Sequence, residues 1–176
     1  MKSISLRLST GSSSSELSTG PDNSLGGKMA NSVSGASRYD IPQNSFIEGV
    51  LFDDISASEN LAEIPEYRCV FIYNNPSVSG AKTVINPKIY ISGSTYAKFE
   101  LGKALTKNID ATLITTETQI PSLISFDTND KDNKLALGVD LAPGDRYAIW
   151  IKRTPKNVGG AGSTLESLTL IVEGSQ

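Results

Sequence analysis

Few side chains in this 176-residue chain could do chemistry, and the first constraint is a missing type: there is no histidine. That removes the commonest general base and the commonest transition-metal ligand together, and with them Ser-His-Asp catalysis, Cys-His catalysis and the usual zinc sites. The single cysteine, Cys69, cannot close an intrachain disulfide. Its apolar setting, "RCVFIY", reads as a buried thiol and not a nucleophile. Asp53 and Asp54 are adjacent carboxylates. In a strand they would point to opposite faces, so they read as punctuation after "FIEGVLF" and not as an acid–base pair. "SLGGKMANS" (24–32) contains Gly-Gly-Lys, yet Asp22 stands where a phosphate loop needs its first glycine and Met29 follows the lysine. "DTNDKDNK" (127–134) approaches a calcium loop, but Lys131 and Lys134 break the series of acids, which leaves a solvated hairpin loop. Trp150, with Tyr90 or Tyr96, could form a sugar-stacking platform. An alternating strand equally places it in the core or against a second protomer, so Trp150 is a candidate protomer or ligand contact. No spacing singles out a carboxylate pair or a lysine base. The expectation is a protein that is not an enzyme, with no catalytic residue, no cofactor site and no metal.

The elements that would position these residues are strands. Hydrophobic content is 38% and the formal net charge is −3. This suits one modest core and argues against a nucleic-acid partner, which calls for a basic surplus. No apolar run approaches the ~20 residues that cross a bilayer, so no membrane partner is expected. Ser, Thr, Gly, Asn and Pro make up more than half of residues 1–45. Such a segment cannot offset its own ordering entropy, so 1–45 is expected to be an extended arm, ordered only against a partner. Its tip differs: Ile4, Leu6 and Leu8 alternate with polar residues, which predicts a short strand at 2–8. That strand must pair with the chain's own body or with another chain. Ile4, Leu6 and Leu8 are therefore the candidate partner-binding residues of the arm.

Residues 46–176 are expected to form the body. "SENLAEIPE" (58–66) reads as a loop or one helical turn, because Pro65 forbids much more. Strands are predicted at 67–74, 87–92, 96–102, 109–117, 122–127, 134–141, 145–153 and 164–174, with "SGST" (92–95) as a hairpin turn. Short strands at regular spacing with no amphipathic helix between them favour an all-β fold, an antiparallel β-sandwich or barrel of about eight strands. The expected core is Val70, Ile72, Ile89, Ile91, Phe99, Leu101, Ile149, Ile151, Leu168 and Leu170. The strand at 67–74 is apolar on both faces, so Cys69 and Phe71 could turn inward instead of Val70 and Ile72.

Three stretches resemble virion structural proteins of tailed bacteriophages: "LFDDISASENLAEIPEYRCVFIYNN" (51–75), "LAPGDRYAIWIKRT" (141–154) and "LTLIVEG" (168–174). The resemblance rests on an L-F-D-D-[VI]-[ST] element leading into E-Y-R-C, a P-G-x-x-x-A-[VI]-W element and a last strand ending in V-E-G. It covers both ends of the body. It implies a place in the particle and carries no catalytic residue. A capsid decoration or cement protein is the expected role, made in the host bacterial cytoplasm and located in the virion. It would bind the major capsid protein or other virion proteins and neighbouring protomers, as a homo-oligomer with a trimer favoured. The alternatives are a neck, tail or baseplate component, or a carbohydrate- or receptor-binding β-sandwich module.

Overall fold

The computed structural model describes residues 3–12, 24–30, 40–42, 51–93, 96–157 and 168–176. The fold is all-β: two antiparallel sheets and one short helix among the described residues. Strands β1 (Ile4–Leu8), β2 (Asp40–Pro42), β3 (Glu66–Asn74), β5 (Ala97–Lys103) and β7 (Arg146–Pro155) form the larger sheet in the order β2-β1-β3-β7-β5. The smaller sheet has the order β6-β4-β8, from β4 (Ile85–Ser92), β6 (Leu135–Ala136) and β8 (Thr169–Ser175).

The β3–β7 pair is the spine. Its register runs from Glu66 opposite Arg153 to Tyr73 opposite Arg146, through Cys69 with Trp150 and Val70 with Ile149. Directly opposed residues share a face. One face therefore carries Val70, Ile72, Ile149 and Ile151, and the other carries Tyr67, Cys69, Phe71 and Trp150. All eight are buried. Branched and aromatic residues fit a pleated surface, and a strand apolar on both sides must be covered on both sides. The smaller sheet is tied to the first face, because Lys103 Nζ at the end of β5 donates to the carbonyls of Ala136 (2.7 Å) and Leu137 (2.9 Å). Ile89, Leu170 and Val172 of that sheet join the same hydrophobic cluster. Irregular chain covers the second face. Trp150 lies below Gly26, the Tyr67 ring packs at 5.3 Å from that of Phe126, and Gly102 is roofed by Ile124.

Every expected core residue is buried except Ile91, which is partly so. The helix α1 (Ala57–Ala62) starts at a capping box, Ser56 with Glu59, and ends at left-handed Glu63 two residues before Pro65.

Four expectations give way. The arm is the largest. β1 pairs with β3 over Ile4–Leu8, and residues 24–30 bridge to Ser9, Gly11 and Ala111. The described parts of 1–45 are thus built into the body; the rest of that range lies outside the described residues. An alternating strand with one apolar face had two possible partners, and it takes the chain's own β3. β4 and β5 do not form the expected hairpin: β4 pairs with β6 and β8, whereas β5 pairs with β7, and Ser94 and Thr95 of "SGST" lie outside the described residues. Residues 109–117 and 122–127 are irregular, with isolated bridges from Ala111 to Gly27 and from Asp127 to Leu101 of β5. Finally, 134–141 shrinks to the two residues of β6. The predicted start of the last strand at 164–167 lies outside the described residues.

Candidate functional site

The densest group of charged side chains sits at one end of the face that carries Ile149. Glu66 opens β3, Arg68 follows it on the same face, and Arg153 stands opposite Glu66. Arg153 Nε donates to Glu66 Oε2 at 2.9 Å, and its Nη1 donates to the Asp53 carbonyl at 2.6 Å. Arg68 Nη2 donates to Glu117 Oε2, and its Nε donates to the Leu51 carbonyl at 3.1 Å. The Asp53 carboxylate lies 3.8 Å from Arg68 and 3.5 Å from Arg153. Both guanidinium groups lie over the Phe52 ring, 5.5 and 4.7 Å from its centroid, and Phe52 meets Phe99 edge-on.

Arg68, Arg153 and Glu66 are buried, while Asp53 is open to solvent. Burial pushes the Glu66 carboxyl above its ordinary value, and Arg153 opposes that rise. The ligand atoms of Asp53, Glu66 and Glu117 lie within 4.8 Å of one another. Two guanidinium groups already stand among them, so a cation would have to displace an arginine. Each carboxylate of the cluster lies within ion-pair distance of a guanidinium group. It clamps the 51–55 segment and the loop at Glu117 to the β3–β7 spine. The sequence held a usable sign of it: Glu66, Arg68 and Arg153 interrupt the apolar face of two strands, and a charge there demands opposite partners.

The second feature is the long irregular stretch from Ala104 to Lys134. Backbone hydrogen bonds fix it at many points: Ala104 N to Ala148 O, Asn108 N to Arg146 O, Ala111 N to Gly27 O, Ile114 N to Leu25 O and Asp127 N to Leu101 O, while Tyr67 N donates to Glu117 O. Asp145 binds the stretch through Lys107 Nζ (2.6 Å) and Asn108 Nδ2 (2.7 Å). Although so anchored, it turns Leu105, Ile109, Leu113, Ile120 and Leu123 to solvent. Leu105, Leu123 and Val139 are brought together at an open groove of about 540 Å³ whose floor includes Leu101 and Tyr147. Irregular segments this long are uncommon unless they carry function, and exposed apolar groups on an anchored surface mark contact sites.

The residues singled out in the sequence fall elsewhere. Ile4, Leu6 and Leu8 are buried within the chain's own core and are not available to a partner. Trp150 is 0% exposed, so it is neither a protomer contact nor a sugar platform. Tyr90 instead faces Lys134 on the outer side of the small sheet. Cys69 is buried, and desolvation pushes its thiol far up, as expected for an inert group. Asp54 is exposed. In 127–134, Asp130 Oδ1 accepts from the backbone N–H groups of Asp132 and Asn133, and Lys131 pairs with Asp132. Gly26 and Gly27 form a left-handed turn packed on Thr112 and Gly11, part of the body's cover.

No family model, curated protein or solved structure matches this chain.

Proposed function

We propose that the two sheets close as a β-sandwich and that the chain is a non-enzymatic structural component of a bacteriophage virion, a decoration or cement protein bound to the major capsid protein. The observation that carries this reading is the anchored stretch 104–134, which shows Ile109, Leu113 and Ile120 to solvent outside the groove. Such a surface suits docking onto another protein. With Trp150 inside the body, the sugar-binding alternative loses its principal residue.

In this role Ile109, Leu113 and Ile120 lie against capsid subunits, and many copies repeated by symmetry strengthen the shell through avidity. The test is co-sedimentation of the protein with particles that lack it, comparing wild type with Leu113→Lys/Ile120→Lys. Both side chains are exposed, so the variant should fold normally and lose particle binding. Unchanged binding would remove this surface from the interface. Labelled protein found only at the neck or tail would replace the head assignment with the neck, tail or baseplate alternative.

A further inference from the structure

The groove beside Lys103 combines features that the capsid contact does not use. Leu123 is 80% exposed at its rim, with Leu105 at 71% and Val139 at 37%. Leu123 also has φ +64°, in the left-handed region. A bulky apolar residue is a genuine outlier there, where Gly or Asn fits a turn without strain. Strain of this kind persists where the surroundings impose it, and it clusters at functional sites. The groove carries one charge of each sign. Lys103 uses two donors on the Ala136 and Leu137 carbonyls, and Asp127 Oδ1 accepts from Thr128 N. Among the described residues neither charge has an ion-pair partner.

We propose that this groove is the contact between two copies of this chain related by a two-fold axis. Leu123 of each copy enters the other's groove between Leu105 and Val139, and Lys103 of each faces Asp127 of the other. An isologous interface requires one patch that carries both halves of every contact. Here the projecting side chain, the recess, the cation and the anion all belong to one surface. That reciprocity selects a second copy over an unrelated partner. The inference rests on the assembly reading above and gives it a symmetry, a pair in place of the expected trimer.

The test is sedimentation of the full chain over a range of concentrations and salt. Wild type should be a dimer that weakens with salt, because rim charges contribute. Leu123→Asn keeps a residue that accepts the left-handed backbone, so it should melt at or above wild type and yet be monomeric. Asp127→Lys sets lysine against Lys103 at both contacts and should raise the dimer Kd at least about tenfold. A wild type that stays monomeric, forms only trimers, or dimerises with an affinity neither substitution changes overturns the proposal. Particle co-sedimentation of Leu123→Asn is read separately: a monomeric variant that still binds particles leaves the virion reading intact. A monomeric wild type that binds particles through this groove assigns the groove to a virion protein and overturns the two-fold contact alone.

Discussion

The two faces of the β3–β7 spine are equally dry and are covered in opposite ways. Ile149 and Trp150 are neighbours on β7, point to opposite faces, and are both fully buried. Ile149 lies on the face tied to a second sheet, Trp150 on the face below coil held by backbone hydrogen bonds and glycine contacts. The outer surfaces of the two covers also differ. The small sheet turns out Lys88, Tyr90 and Glu173, with Lys134 bonded to Glu173 and set over Tyr90, a surface suited to water. The coil turns out Leu113 and Ile120. A spine apolar on both faces needs two covers, but only one has to be regular. An irregular cover is free of period-two alternation, so it can bury one set of apolar residues and display another.

The strand shared by both halves gives the largest expected effect. Leu6 is fully buried on β1 opposite Ile72. Leu6→Asp would lose the burial of a leucine, about 1.5–3 kcal/mol, and would desolvate an unpaired carboxylate at a further cost of several kcal/mol. Against a typical stability of about 5–15 kcal/mol, the chain should fail to fold, seen as lost near-ultraviolet dichroism. A partner-seeking arm would have left the body intact, so a folded Leu6→Asp variant would return β1 to that role.

Next comes the clamp. Glu66→Ala leaves Arg153 buried beside only the exposed Asp53 and should cost about 3–5 kcal/mol by urea titration. A loss below about 1 kcal/mol would mean that water already reaches the cluster. The same residue sets a pH signature. Burial raises Glu66 above its ordinary 4.5, so between 4.5 and that raised value the native state binds more proton than the unfolded chain. Through that window stability should therefore rise as pH falls toward 4.5. Asp145 acts oppositely. Burial would raise it, but bonds from Lys107, Asn108 and the Ala142 N–H hold it below 3.8, so its contribution is lost as pH falls through that lowered value. The melting temperature should peak on the acid side of neutral, and Glu66→Gln should flatten the slope above 4.5.

What the sequence made legible follows the same division between faces. β1, β3, β4, β5 and β7 were readable because alternation or a dense branched run survives in each. Stretch 109–117 is β-branched and 122–127 carries an apolar run, yet both run as coil. Their backbone groups are satisfied by scattered bridges to Gly27, Leu25 and Leu101, and composition does not record distant partners. The rest of the clamp was hidden for a related reason: the register of β3 on β7 sets Arg68 near Arg153, but Glu117 and Asp53 come from irregular segments far away in sequence. The arm was misjudged because its polar composition outweighed three alternating apolar residues that belong to the core.

Gly26 tests the irregular cover directly. A Cβ there would stand 2.0 Å from the Thr112 carbonyl oxygen and 3.1 Å from the Trp150 ring, at φ +91°. Gly26→Ala must displace the 111–114 segment, costing about 1–3 kcal/mol in left-handed strain alone. The strands should persist while Trp150 fluorescence shifts to the red, because the lesion opens one face only. An unshifted spectrum would mean that something other than this turn covers the indole.

The smallest expected effect is also the sharpest contrast, because it compares the two neighbours themselves. Trp150 is fully buried, and its indole Nε1–H has no hydrogen-bond partner among the described residues. A buried unpaired donor costs about 1–3 kcal/mol. Trp150→Phe removes that donor and leaves part of the ring volume empty. The gain and the cavity cost are similar in size, so the net change should stay within about 1 kcal/mol. Ile149→Ala on the opposite face removes well-packed carbon and no polar atom, and should cost about 2–5 kcal/mol. Chemical denaturation of both variants measures the difference. If Trp150→Phe costs as much as Ile149→Ala, the coil packs on the spine as tightly as the sheet does, and the distinction between a rigid cover and a displaying one fails.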